Sequence, residues 1–220
     1  DNLFADWISG SSNADSNIRF NLRKIRNRCR EQARNNDYAK RYLQLLVTNV
    51  VGQNGIRIQS KARNEDGKLD ILGNRVLERE WAKWCRRGNC TIDGRLSFLD
   101  AQKLFIETLA RDGEVLIRKI KDSNSPFGFQ IQFLEADHLD ENKNDVYKAT
   151  GNRIKMGVEV DKYDKPVAYH LYKDHPYDRT YASQNQHIRV PADEIIHAYL
   201  PTRAEQTRGV SLIATSMANV

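Results

Sequence analysis

Five carboxylates, Glu135, Asp137, Asp140, Glu159 and Asp161, stand in the middle of the chain, followed by His170 and His175. Carboxylates converging on a divalent cation are what a metal-dependent nuclease needs, because the ion polarises the phosphodiester and acidifies a bound water. Asp137 and Asp140, at the end of a strand, make the best pair. Short acids also cap turns, however, and no histidine or lysine base completes a known arrangement, so no catalytic residue is assigned. His170 and His175 are five apart, which on a strand places them on opposite faces. They read as ordinary strand-end histidines, and His197 as a half-buried residue of an apolar strand.

Cys85 and Cys90 are spaced as Cys-x4-Cys but have no further cysteine or histidine beside them, so a tetrahedral zinc site is not built. Together with Cys29 they are odd in number, and a reducing compartment is expected. The chain has no Gly-x-x-x-x-Gly-Lys-Ser/Thr, Gly-x-Gly-x-x-Gly or Gly-x-Ser-x-Gly run. Nucleotide and acyl-transfer chemistry are not encoded in these forms, and no cofactor is expected. The remaining cluster of reactive character is basic: Arg23, Arg26 and Arg30, with Arg19, Lys24, Arg28 and Arg34, in one helical stretch. These are candidate contacts to DNA or to a neighbouring subunit's acids, weighed against a plain solvated helix face.

The elements that must position these groups follow from periodicity. Residues 1–17 read as a flexible segment, and 18–35 as the basic helix with Leu22, Ile25 and Cys29 on its apolar side. A second helix is expected from Asp37, as N-cap, to Gly52. Ile56 and Ile58 alternate as a short strand, and 62–68 is a surface loop. A helix over about 69–87 carries Val76, Leu77, Trp81 and Trp84 as a core stripe. Another starts at Ser97, with Asp100 completing a capping box, and ends at Gly113.

From Glu114 the period becomes two. Residues 114–121 and 129–134 read as strands joined by a 122–126 turn. Ile154, Met156, Val158 and Val160 alternate along one strand, and Val167, Tyr169 and Leu171 along the next, with Pro166 between them. A polar loop over 174–186 and a strand over 194–199 follow. Helices first and strands afterwards give α+β with a mostly antiparallel sheet.

The 220 residues suffice to bury a core, and 35 Lys plus Arg against 29 Asp plus Glu leave a mild charge of +6. No apolar run reaches the roughly twenty residues of a membrane span, and no leader pattern opens the chain, so neither membrane nor secretion is expected.

Several segments together resemble one family. Gly151-Asn152-Arg153-Ile154-Lys155-Met156-Gly157-Val158-Glu159 is flanked by Leu134-Glu135-Ala136-Asp137-His138-Leu139-Asp140 and by Arg208-Gly209-Val210-Ser211. Upstream stand Ala33-Arg34-Asn35-Asn36-Asp37-Tyr38-Ala39, Asn49-Val50-Val51-Gly52 with Gly55-Ile56-Arg57-Ile58, Gly94-Arg95-Leu96-Ser97-Phe98 and Asp112-Gly113-Glu114-Val115. In this order they resemble the lambda-type phage portal proteins, over nearly the whole chain.

The resemblance implies a wing-like α+β domain over 18–208 and the start of a truncated stem helix over 209–220, in a piece of a longer polypeptide. It also implies a non-enzymatic subunit of a ring, a dodecamer, at one capsid vertex, through which double-stranded DNA is packaged and ejected. Capsid protein, terminase and head-completion proteins are the implied partners, in a virion assembled in the bacterial cytoplasm. The alternative is a metal-dependent nucleic-acid-processing enzyme of a phage cassette.

Overall fold

The computed structural model describes residues 12–121, 125–178 and 186–215. Among the described residues five α-helices lead: α1 (Ala14–Arg19), α2 (Leu22–Asn35), α3 (Asp37–Val50), α4 (Ile71–Trp84) and α5 (Phe98–Asp112). Eight strands follow: β1 (Glu114–Lys121), β2 (Phe129–Leu134), β3 (Asp145–Val146), β4 (Arg153–Lys155), β5 (Val158–Val160), β6 (Pro166–Tyr172), β7 (His187–Pro191) and β8 (Ile195–Tyr199). They form two sheets, β2-β1-β8 and β3-β4-β5-β6-β7, with every named pair antiparallel. The protein is α+β, as the order of periods predicts. No helix among the described residues is long and apolar enough to cross a membrane.

Strand β1 is the axis of the molecule because both of its faces are buried. Val115 and Ile117 face α5 and pack with Ile131, Phe98, Phe105, Leu109 and Phe133. Leu116, one residue out of phase, enters a second core with Leu139, Val158, Val160, Tyr169, Leu171, Val190 and Ile195. Glu114 shares the parity of Leu116 and is therefore carried inward with it.

Helix α5 begins and ends as its sequence dictates. Ser97 and Asp100 form the reciprocal capping box, and Gly113 closes it at φ +91° in the left-handed region.

Elsewhere the expectations need correction. The basic helix is broken at Phe20-Asn21, and its N-terminal part starts four residues before Ile18. Asn13 caps α1, Ala14 is buried, and Asp15 accepts from the Thr207 backbone N–H at 2.8 Å, so this end of the 1–17 segment is tied to the fold. Asn36, not Asp37, caps α3, accepting from Tyr38 and Ala39 N–H. Ile56 and Ile58 form no strand; Gln102 takes the Ile56 backbone hydrogen bonds instead. In α4 Trp81 and Trp84 stack on each other, and Phe98 meets Trp81 edge-on and Trp84 at a tilt, whereas Val76 and Leu77 of the expected core stripe are exposed.

The long strand expected over 154–160 is two strands. Met156 (φ +46°) and Gly157 (φ +86°) turn the chain between β4 and β5, yet Ile154, Met156, Val158 and Val160 all stay buried. In β6 both faces are buried: Tyr169 and Leu171 join the core with Leu116 and Ile195, and on the other side Ala168 and His170 are buried, His170 against Glu159 and Tyr147. Among the described residues 209–215 form no α-helix, and the rest of the expected stem helix lies outside the described residues, as does 122–124 of the expected turn.

Candidate functional site

The Gly113 turn delivers Glu114 from the end of α5 into the interior, and four groups converge on its carboxylate. Arg208 approaches with Nη2 at 2.5 Å from Oε1 and Nε at 2.9 Å from Oε2. Arg26 Nη2 donates at 2.6 Å, His197 Nε2 lies at 2.9 Å, and the Gly209 N–H donates at 3.2 Å. Burial opposes ionisation, but the Arg208 charge, the His197 ring and Arg26 outweigh it and hold the carboxyl well below the ordinary range.

Arg208 is equally occupied on its far side. It donates to the carbonyls of Met156 (3.0 Å), Leu139 (3.1 Å) and Ala136 (3.3 Å), thereby joining the β4–β5 turn to the stretch after β2. Its backbone fits because Gly113 and Gly209 touch: a Cβ on either would collide with the other segment's backbone.

A second layer lies beside this pair. Arg26 Nη1 is 3.6 Å from Asp137, while Arg30 Nη2 lies 2.7 Å from Asp137 Oδ2 and 2.8 Å from Asp112 Oδ2. Arg111 closes on Asp112 at 2.8 Å. Burial raises the Asp112 pKa, but the hydrogen bonds from Arg111 and Arg30 more than offset it, and it stays below the usual value. Arg26 and Arg30, expected at a DNA or subunit surface, are thus turned inward: Leu22, Arg26, Cys29 and Arg30 form the inner stripe of α2 at i, i+4, i+7 and i+8. Arg23 does remain at the surface, over the Tyr177 ring at 5.0 Å. With Phe20, Lys24, Asn27, Arg28 and Glu31 it borders a groove of about 600 Å³.

The five candidate carboxylates do not gather. Asp140 meets His187 at 3.1 Å, and Asp161 caps its own turn through Tyr163 and Lys165 N–H. Glu159 is buried in a separate cluster, held by Arg189 at 2.8 Å, Asn152 at 2.9 Å and His170 at 3.1 Å. The Arg189 hydrogen bonds bring Glu159 down to about 2 against its burial, and burial lowers His170 despite that contact. Cys90 is buried with its thiol on the Leu96 carbonyl, and burial pushes both Cys90 and Cys85 up, the latter to about 11.

Among the described residues one group does bring three ligand atoms within 4.8 Å of one another: Glu135, Asp137 and His175. His175 joins it in place of the expected Asp140, and lies apart from His170. Arg30 already sits there, 3.5 Å from Glu135 and 2.7 Å from Asp137. Arg26, Arg30, Arg111 and Arg208 match Asp112, Glu114, Glu135 and Asp137 charge for charge, so a divalent ion would enter beside a fixed guanidinium.

The arrangement is therefore a buried, compensated keystone. It offers no open nucleophile and no free position for a reacting atom, but it fixes α2, α5, β1, the Ala136–His138 turn and the 206–211 segment relative to one another. Gln206 completes it, donating to the Arg208 carbonyl at 2.7 Å while Tyr199 Oη donates to the Gln206 carbonyl. Sequence reasoning assigned no role to Glu114 or Arg208. The available signal was a charge falling on an apolar position of the period, at Glu114 in β1 and at Arg26 in α2.

The family model for the phage portal protein, lambda family, matches residues 1–220. A probable portal protein of Halomonas phage phiHAP-1 is 43% identical over 202 residues, 91% of this chain and 39% of that protein. The chain spans about two-fifths of the length of that curated relative. Segments 112–115, 134–140, 151–159 and 208–211 all reach the one buried Glu114–Arg208 keystone, whose two members are 94 positions apart, or its neighbours, and the chain that carries them belongs to the lambda family of phage portal proteins.

Proposed function

We propose that this chain is the N-terminal, wing-like part of a portal subunit, a structural and non-enzymatic component of a phage particle. Residues 18–208 would form the peripheral wing, and the segment from 209 onward would lead toward the stem. In the complete protein the subunits close into a ring, a dodecamer, at one capsid vertex. Double-stranded DNA passes through that ring during packaging and ejection. The ring seats terminase and head-completion proteins against the capsid protein, and the particle is assembled in the bacterial cytoplasm.

The observation that carries this reading is the keystone: a subunit under load from a threading duplex is served by a wing whose parts are locked by buried ion pairs. Arg23, left at the surface, is the one member of the expected basic trio that remains available to DNA or to a neighbouring subunit. Negative-stain microscopy of the complete protein tests the assignment. Rings with a central channel are expected; a protein that stays monomeric under all conditions sinks it.

A metal-dependent nucleic-acid-processing enzyme is the competing reading, favoured by the Glu135, Asp137 and His175 group. Arg30 stands against it. Purified protein with Mg²⁺ or Mn²⁺ should cleave neither DNA nor nucleoside triphosphates. Turnover that disappears in His175→Ala would establish the enzyme instead.

A further inference from the structure

Asn54-Gly55 is the single Asn-Gly pair in the sequence, and it stands just past the end of α3, in the turn that leads into the 56–62 segment. Asn54 is exposed, and Gly55 has left-handed backbone at φ +70°. What sets the pair apart is the Gly55 N–H. Three other glycines follow an aspartate, whose side chain is open to the same cyclisation, and each has its N–H engaged. Gly67 donates to the Asn64 carbonyl at 2.9 Å, Gly94 to that of Thr91 at 3.1 Å and Gly113 to that of Leu109 at 3.1 Å. The Gly55 N–H meets no acceptor among the described residues, so no bond holds its nitrogen back.

We propose that Asn54 is a self-deamidation site, at which the Gly55 backbone nitrogen attacks the side-chain amide carbon. The nitrogen gives its proton to solvent base, the new bond closes a five-membered succinimide, and the side-chain nitrogen leaves as ammonia. Water then adds to one of the two ring carbonyls and breaks its bond to the ring nitrogen. Opening at the side-chain carbonyl leaves aspartate. Opening at the main-chain carbonyl leaves isoaspartate, whose backbone runs through Cβ and is longer by one methylene. Glycine permits the attack because it has no Cβ to crowd the closing ring.

The lengthened link falls where the fold has no slack. A Cβ on Gly55 would stand 2.8 Å from both Gln102 Oε1 and Leu99 Cδ1, so the chain lies directly against α5. The next residue is clamped to the same helix: Ile56 N–H donates to Gln102 Oε1 at 2.7 Å, and Gln102 Nε2 donates to the Ile56 carbonyl at 2.9 Å. An added methylene just upstream displaces Ile56 from an amide that must meet both of its backbone groups at once. Isoaspartate at position 54 therefore releases the start of the 56–62 segment from α5.

The test ages the complete polypeptide in mildly alkaline buffer, folded and in urea, and follows the tryptic peptide 42–57 by mass spectrometry. Asn49 lies in the same peptide as an internal control, inside α3 with its side-chain amide donating to the Leu45 carbonyl at 2.8 Å. Folded protein should convert Asn54 at least tenfold faster than Asn49 and within threefold of the rate in urea, giving both aspartate and isoaspartate. Folded protein that keeps Asn54 intact while the urea sample converts it overturns the proposal. The aged fraction, separated by its added negative charge, should exchange the Ile56 amide hydrogen at least tenfold faster than fresh protein. Freshly made Asn54→Asp, which carries the charge without the methylene, should exchange like fresh wild type. Equal exchange in aged and fresh protein overturns the release of the segment.

Discussion

Arg208 Nη2 lies 2.5 Å from Glu114 Oε1 although the two residues are 94 positions apart, and neither side chain reaches solvent. A pair of this kind adds little over an apolar isostere, because desolvating both ions consumes most of the Coulombic gain. Its force lies in what happens when one member is removed. Arg208→Met should cost about 3–5 kcal/mol in urea unfolding, because Glu114 is left with Arg26 and His197 alone among its charged or ring partners and three buried carbonyls lose their donor. Arg208→Lys should recover little, since an ammonium cannot serve the carboxylate and three carbonyls at once. Arg208→Met/Glu114→Gln should be more stable than Arg208→Met alone; a double variant at or below the single one would mean the pair is not coupled.

Gly113 and Gly67 both have left-handed backbone, at φ +91° and φ +80°, but only Gly113 is crowded. Gly67→Ala should cost about 1 kcal/mol, the conformational penalty alone. Gly113→Ala should additionally drive the Val210–Ser211 backbone away and lower the unfolding midpoint several times as far. Equal shifts in the two variants would show that the 113–209 approach is loose.

The arginines of α2 should separate by burial and not by position in the basic run. Arg28→Ala, on the exposed side, should change stability by about 0.5 kcal/mol or less. Arg26→Ala should cost about 3 kcal/mol, the low end for breaking a buried pair, because Arg208 still serves Glu114 and Arg30 still serves Asp137. A test of DNA binding by neutralisation therefore belongs on Arg23, Lys24 and Arg28, and urea midpoints of the single variants check the partition.

Acid should destabilise the protein in two stages. His138 and His170 have folded pKa values below the ordinary 6.5, through burial, so the unfolded chain takes up protons first and stability falls as pH drops through 6.5. Glu159, at about 2 in the fold against an ordinary 4.5, adds its loss between those values. At pH 7 wild type should exceed Glu159→Gln by roughly 3 kcal/mol, a gap that narrows toward zero as pH approaches 2. A gap constant with pH would show that Glu159 works through packing and not charge.

Local chemistry determined a good part of this protein from sequence alone. The bounds of β1 and β2, the capping box at Ser97 and Asp100 and the Gly113 stop rest on residues within a few positions of one another, so composition and period expose them, and the α+β order and the family resemblance follow from the order of such local segments along the chain. Tertiary structure decided the rest. Met156 alternates like a strand residue, yet the chain turns there because Gly157 can adopt φ +86° and β5 must fold back on β4. Val76 and Leu77 have the period of a core stripe but find no element opposite among the described residues. Arg26 and Arg28 are alike in type and both lie in α2. One is buried and the other exposed because Glu114 and Asp137 arrive beside Arg26 from about a hundred residues downstream, and a guanidinium enters an interior when carboxylates are there to meet it.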